Sequence, residues 1–336
     1  DLSNYHPKLL DFYNIDGAQV SIPYIFYPAV MFYNKTLFDA SGIPYPPQNY
    51  GEPYIDWNGE LREWNMDTLR EVAMKLTLDK YGNDATMDAF DPWAIQQVGF
   101  SGWSISYMRY RDTLFGAGNL IDDNGRAIIP PHWREAEHWY HRARWEDFFL
   151  ERSIGTVEHT FFNQNAAITI ENMWFTTIIA REAVEFEWDF APIPSYQGIT
   201  TTPLHEDTFR IYEATQHPQE AFTVLTYLLS NLETGEPTVF LAHNTEQESS
   251  LDTYIAELSE QYPHIDWASL NWDVVFDALD YIAIPSQEAF LPNYGQATAR
   301  ISDYTELVDN TPDVDIDAEL DRLQNDLQVI FDTTEN

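Results

Sequence analysis

Short apolar segments that alternate with amphipathic helices constrain the fold of this chain more than any other feature. Five such segments have the composition of buried strands. They are residues 20–23, 30–33, 167–170, 190–193 and 209–212. Because strands that alternate with helices of ordinary length pack as layers, the sequence predicts an α/β fold with sheets covered on both faces.

Three helices can be located from their first residues and their apolar spacing. One begins after Asn65, an N-cap residue, with Trp64 and Leu69 placed to pack together across its start. A second opens at Pro218, and a third lies near the C-terminus behind acidic residues that suit a helix N-terminus. The apolar positions of the second and third helices are Ala221, Phe222, Leu225, Leu228 and Leu229, and Ile316, Leu320, Leu323, Leu327 and Ile330. The acidic residues are Asp313, Asp315 and Asp317.

The charge balance excludes several classes of function. The 336 residues include 17 lysines and arginines against 55 aspartates and glutamates, a formal net charge of −38. A chain this anionic repels phosphate backbones and anionic membrane surfaces, so we expect no nucleic-acid partner. With 44% hydrophobic residues it can still bury a core. The sequence has no cysteine, which excludes disulfides, thiolate catalysis and cysteine-bound metals.

The sequence contains no segment that predicts a membrane-spanning helix. Its most apolar stretch, residues 21–33, is too short to cross a bilayer and is interrupted by Pro23 and Pro28. The first residues are polar and acidic, so no signal peptide is visible there.

Aromatic side chains form the most informative set of candidate functional residues. Trp103, Tyr107 and Tyr110 share one segment, Trp174 directly follows a predicted strand, and Tyr294 lies near the C-terminus. An aromatic face complements the apolar face of a pyranose, while nearby amides and carboxylates bind its hydroxyls. Core packing is the alternative for each of these rings, since the chain contains 11 tryptophans and 20 tyrosines.

Three other patterns contain residue types that can bind metals or catalyse reactions. His132, His138 and His141 lie on one predicted helix without a metalloprotease motif, so a solvated amphipathic helix is favoured over a metal site. The acidic loops 79–84 and 122–125 lack the ligand spacing of a calcium loop, and the second is favoured as a hairpin turn. Abundant carboxylates permit a glycosidase pair but do not indicate one. We therefore expect no catalytic residue, no metal and no cofactor.

Several segments in order resemble a known family. Residues 16–23 read DGAQVSIP, and residues 32–44 read FYNKTLFDASGIP. WNMDTLREVAMKLT, FFNQNAAITIENMW, DFAPIP, FRIYEATQHPQEAFTVLTYLLS and FLPNYGQA follow. Together they resemble the extracellular solute-binding proteins of ABC importers, in the carbohydrate-binding group that includes maltose-binding protein. The resemblance covers nearly the whole chain.

The resemblance implies a two-lobe α/β periplasmic-binding fold of the class II type with a hinge between the lobes. It assigns residues 1–27 to a partial first lobe, 28–206 to the second, 207–282 to a return into the first, and 283–336 to C-terminal helices mainly on the second. Crossings between lobes are expected near residues 25–29, 205–210 and 282–286. The family usually begins with further βα units of the first lobe, roughly 60–100 residues in total, and these are absent from this sequence.

The resemblance also implies the ligand-binding residues. Trp174 matches a tryptophan that stacks on sugar in many members, and Trp103 and Tyr107 lie in a segment that supplies a further aromatic contact. Tyr27 falls at the first crossing, while Asn293 and Tyr294 match a C-terminal segment that often reaches the ligand. The polar candidates are His205, Asp207 and Arg210 at the return crossing, and Glu171 and Asn172, for which a turn-stabilising role is the alternative.

The function implied is that of an extracytoplasmic binding component, periplasmic or lipid-anchored, which captures a sugar and delivers it to the membrane permease of an ABC transporter. A neutral sugar is favoured over an anion because Arg210 is the one obvious cation among the candidates. A monomer is expected. The alternatives are a secreted glycoside hydrolase or lyase, a binding protein for a cationic solute, and an adhesin or chemoreceptor-linked sensor.

Overall fold

One long strand, β3, runs through the centre of the fold from Ile22 to Asn34. In the computed structural model, the described residues are 2–11, 13–15, 17–151, 161–182, 184–231, 240–242 and 247–333. The strands in chain order are β1 Asn14–Ile15, β2 Ala18–Gln19, β3 Ile22–Asn34, β4 Tyr54–Ile55, β5 Leu61–Arg62, β6 Leu78–Asp79, β7 Ile95–Phe100, β8 Ala166–Asn172, β9 Trp188–Ala191 and β10 Leu204–Phe209.

The main sheet has the strand order β10-β3-β8-β7-β6, and β9 also pairs with β3. The first half of β3 pairs antiparallel with β10, with Tyr27 opposite His205. The second half pairs antiparallel with β8 and β9. Among the described strands, β7 and β8 are the pair that runs parallel. Since β3 changes partners after Pro28, it connects two parts of the sheet without a turn.

Three of the strand predictions were wrong in their extent. Residues 20–23 and 30–33 were expected as separate strands, but both belong largely to the continuous β3. Pro23 and Pro28 do not break it, because each removes a single donor, and Pro28 lies where the strand changes partners. Residues 209–212 were also expected as a strand, but β10 spans Leu204–Phe209 and ends there because Phe209 pairs with Ile22, the first residue of β3. The segments 167–170 and 190–193 correspond to β8 and β9.

The helices surround this sheet and extend beyond it. In chain order they are α1 Pro7–Asp11, α2 Lys35–Ser41, α3 Met66–Leu76, α4 Met108–Thr113, α5 Pro131–Trp145, α6 Phe175–Arg181, α7 Pro218–Leu229, α8 Gln247–Gln261, α9 Trp272–Asp277, α10 Tyr294–Asn310 and α11 Ile316–Phe331. Short 3-10 helices occupy Ser104–Ser106, Trp267–Ser269 and Ala278–Tyr281. None of the helices in the described part of the chain combines the length and apolarity needed to cross a membrane.

The helix predictions are confirmed at their first residues. Asn65 caps α3, its side chain accepting a hydrogen bond from the backbone N–H of Thr68 at 2.9 Å. Asp315 caps α11 in the same way, through Ala318. The apolar face predicted for α7 is largely not core, since only Leu225 is buried among its residues.

Among the described residues, three apolar clusters form the core. One packs α3, α5 and the 105–115 segment against β7 and β8. The second lies on the other side of β3, with α6, α8, α9 and β9. The third joins α10 and α11 to the start of α5 around Trp133. The candidate site lies where the 103–110 segment, α10 and β10 meet.

Candidate ligand-binding site

A cavity of about 640 Å³ opens between the 103–110 segment, the end of β8, β10 and α10. Six of the residues that the sequence predicts as ligand contacts line it together: Trp103, Tyr107, Asn172, Trp174, His205 and Tyr294. Five others lie outside its lining: Tyr27, Glu171, Asp207, Arg210 and Asn293.

The aromatic side chains of the cavity present ring surface to solvent. Trp103 and Trp174 meet edge to face, with ring centroids 5.7 Å apart and an interplanar angle of 84°. Trp103 is 59% exposed and Tyr107 60% exposed. Tyr294 stacks on Phe290 at 6.1 Å and remains 46% exposed. Rings exposed inside a cavity can stack on the apolar face of a ligand.

Glu171 lies beneath this aromatic wall and holds it in place. Its carboxylate accepts a hydrogen bond from the backbone N–H of Trp103 at 2.6 Å. It also accepts from the backbone N–H and the hydroxyl of Ser104. Complete burial raises the pKa of Glu171 to about 7, although these hydrogen bonds act to lower it. Glu171 therefore positions Trp103 from outside the cavity lining.

Two predicted polar residues make contacts within the protein. The Asn172 amide donates to the carbonyl oxygen of Tyr27 at 2.7 Å, which joins the end of β8 to β3. Asn293 has a left-handed backbone, with φ of 49°, just before α10. Its amide donates to the carbonyl oxygens of Ile330 and Thr333, at 2.6 and 2.8 Å. Asn293 thus links the start of α10 to the end of α11.

His205 is the centre of a polar group at the cavity wall. Its Nδ1 lies 2.7 Å from Oε1 of Glu288, and its Nε2 lies 3.4 Å from Asp207. The Glu288 carboxylate raises the pKa of His205, since it stabilises the imidazolium. Glu288 lines the cavity and was missed by the sequence analysis, because the segment that carries it has no motif and only folding brings it beside β10.

Arg210 borders a neighbouring cavity of about 420 Å³. The two cavities share Glu288 and Tyr294 in their walls. The Arg210 guanidinium lies over the ring of Tyr13, 5.5 Å from its centroid. His205 and Arg210 therefore line two adjacent cavities that share Glu288.

Two arginines of α4 have opposite roles. Arg111 is buried and paired on both sides, with Glu137 at 2.7 Å and Asp309 at 3.0 Å. Arg109 is also buried and lines the cavity, where its Nη2 donates to the carbonyl oxygen of Ala289 at 2.7 Å. The sequence analysis did not select Arg109. One sequence signal could have identified Arg109, namely its place in the aromatic segment. It lies two residues before Arg111 and therefore on a different face of the helix.

The histidine-rich helix and the acidic loops make internal contacts. On α5, His132 and His141 face the carbonyl oxygens of Ala117 and Thr311, and His138 lies 3.3 Å from Asp317. Within the described ranges, no three His, Asp or Glu side chains are grouped to hold a metal ion.

The two acidic loops are closed by their own backbone. The Asp79 carboxylate accepts from the backbone N–H groups of Tyr81, Asn83 and Asp91. Loop 122–125 is a hairpin turn, as expected, in which Asp122 accepts from the backbone N–H of Arg126.

The sequence matches one protein family, that of the bacterial extracellular solute-binding proteins, over residues 1–232. No curated protein sequence matches the chain significantly.

Solved structures share its fold. UspC from M. tuberculosis aligns with a TM-score of 0.71 at 18% identity, over 98% of this chain and 80% of UspC. The ABC substrate-binding protein Lmo0181 from Listeria monocytogenes, solved with cycloalternan, aligns with a TM-score of 0.68 at 18% identity, over 97% of this chain and 75% of its own. The maltose/maltodextrin-binding domain MalE from Bdellovibrio bacteriovorus, bound to maltotriose, aligns with a TM-score of 0.60 at 15% identity, over 97% of this chain and 76% of its own. The expected fold of the solute-binding proteins is confirmed.

Proposed function

Because the chain belongs to the bacterial extracellular solute-binding proteins, we propose that it captures a carbohydrate in the cavity walled by Trp103 and Trp174. The observation that carries this proposal is the pair of tryptophans, which meet at 84° and leave ring surface open to the cavity. Such faces favour pyranose rings, and the polar groups around them offer partners for hydroxyls.

Similar structures support the same ligand class. Lmo0181 was solved with cycloalternan and the Bdellovibrio domain with maltotriose, both saccharides. A cavity of about 640 Å³ lies within the range of small-molecule sites and has room for more than one sugar ring.

We further propose that the chain forms two lobes that close around the ligand. The first lobe would comprise residues 1–27 and 207–282, and the second 28–206, with the C-terminal residues 283–336 mainly on the second. Two pairings support this proposal: β3 pairs with β10, and Thr202, just before β10, bridges Ile282. Closure needs a ligand that binds the closed state more tightly than the open one.

In this proposal the closed protein, as a monomer outside the cytoplasm, delivers the sugar to the permease of an ABC transporter. Whether the protein is free or lipid-anchored does not alter the site. The proposal assigns the ligand contacts to the residues that line the cavity. Arg210 would contact a longer ligand that extends into the neighbouring cavity, and Asp207 would act through His205, 3.4 Å away.

A panel of mono- and oligosaccharides with organic amines, read by thermal shift, tests this function. A ligand that binds the folded state stabilises it, by about 2.7 kcal/mol at a hundredfold excess over Kd, and therefore raises the melting temperature. Calorimetry of each hit and recovery of the sugar afterwards complete the test. Saturable binding of an unaltered saccharide is the expected result. Conversion of the sugar would identify an enzyme, and binding of amines alone a carrier of cationic solutes.

A further inference from the structure

Arg109 is a buried cation in the cavity wall that pairs with no carboxylate among the described residues. The residue is only 9% exposed. Its Nη2 donates to the carbonyl oxygen of Ala289, while its buried Nε has no hydrogen-bond partner among the described residues. The contrast with Arg111 on the same helix is direct, since that guanidinium binds two carboxylates. Burying a charge without a partner is costly, so an unpaired guanidinium in a cavity indicates a partner supplied from outside.

The other charged groups of the wall are already engaged. Glu288 lies within electrostatic range of Arg109, but its Oε1 is 2.7 Å from Nδ1 of His205. Asp309 is paired with Arg111 at 3.0 Å. The remaining acidic residue of the lining, Glu306, is exposed on α10, where water and salt screen it. Arg109 is therefore a buried charged group of the lining that has no oppositely charged side chain in contact with it among the described residues.

A second buried polar group of the lining lacks a partner. Gln287 is 7% exposed, and its amide nitrogen donates to the carbonyl oxygen of Leu204 at 2.6 Å. Its Oε1 is buried without a hydrogen-bond partner in the described part of the chain. A ligand that satisfies the cavity thus needs a donor for Gln287, acceptor oxygens for Arg109, and an apolar face for Trp103 and Trp174.

We propose that the ligand is an acidic saccharide whose carboxylate, that of a uronic acid, is bound by Arg109. The inference rests on the proposed function. It replaces the sequence-based preference for a neutral sugar, because the fold adds the guanidinium of Arg109 to the cavity wall. A guanidinium matches two carboxylate oxygens with parallel N–H donors, and the single charges of the two groups cancel. A phosphate dianion would leave a negative charge beside Glu288 and Asp309. The uronic acid also supplies the ring face and the hydroxyl donors.

Matched pairs of sugars test the inference on the wild-type protein. The probes are D-glucuronate with D-glucose and D-galacturonate with D-galactose, each as the monosaccharide and as short oligosaccharides, at one ionic strength. Since hydrogen bonds to a charged group are the strong ones, the acidic member of a pair is expected to bind about tenfold or more tightly than its neutral partner by calorimetry. Equal or tighter binding of the neutral member would overturn the inference and leave the proposed function intact. Binding of no saccharide would contradict both.

Variants of Arg109 test the residue assignment. Arg109→Gln can keep the hydrogen bond to Ala289 but loses the charge, so it is expected to abolish the preference for the acidic sugar. Arg109→Lys keeps the charge and is expected to retain part of the preference. Arg322→Gln, which removes an exposed arginine of α11, is the matched control and should bind as the wild type does. A preference that persists in a folded Arg109→Gln protein would show that another residue binds the carboxylate.

Discussion

Replacing Glu171 by Gln tests how the aromatic wall is held. Burial raises the pKa of Glu171 to about 7 from the ordinary 4.5. Because each pKa unit corresponds to about 1.36 kcal/mol, the difference between the two pKa values corresponds to about 3 kcal/mol. A carboxyl group whose pKa is higher in the folded protein binds its proton more tightly there than in the unfolded chain. The protonated carboxyl group therefore stabilises the fold at low pH, and this stabilisation is lost as the pH rises from about 4.5 to 7.

Glu171→Gln has nearly the same shape but does not titrate. The free energy of unfolding of the wild type, minus that of the variant, is expected to fall by about 3 kcal/mol between pH 4.5 and 8. Urea denaturation at a series of pH values and constant ionic strength measures it, and other titrating groups cancel in the difference. Glu182→Gln, the same substitution at an exposed position, is the matched control. A difference that stays constant across this range would refute the reasoning, and would mean that the hydrogen bonds from Trp103 and Ser104 fully offset burial.

Three further predictions concern the cavity and the fold. Trp174→Ala is expected to weaken saccharide binding by about 1–3 kcal/mol, from the loss of a large ring surface that the bound sugar would cover, whereas Trp93→Ala, at an 82% exposed position, should leave calorimetric affinity unchanged. Glu288→Gln should lower the pKa of His205 in an NMR titration, because the carboxylate that stabilises the imidazolium is removed; an unchanged pKa would contradict the contact. Asn65→Ala should cost about 1 kcal/mol in urea denaturation through loss of the α3 cap, and no loss would mean that the cap is replaced by water.

The general architecture could be predicted from sequence because its signals are local. Asn65 and Asp315 mark the starts of α3 and α11 by side chains that bond within three residues. The extent of β3 could not be predicted, because the sequence shows Pro28 but not the change of strand partner that accommodates it. The apolar face of α7 shows the same limit, since spacing predicts a face but not what covers it.

The aromatic part of the site could be predicted, and its charged part could not. Trp103 and Trp174 stand out as rings beside strand ends, and they meet in the structure. Arg109, Gln287 and Glu288 reach the cavity only through contacts between distant segments, such as the bond from Arg109 to a carbonyl 180 residues away. No local pattern distinguishes a paired arginine from an unpaired one, so the electrostatics of the cavity required the fold.

The most direct test of the proposed carbohydrate site is a crystal structure of the protein with the saccharide that gives the largest thermal shift. The account predicts the sugar ring against Trp103 or Trp174, within the cavity that Tyr294 also lines. Density for the sugar at another surface, with this cavity holding only water, would contradict it.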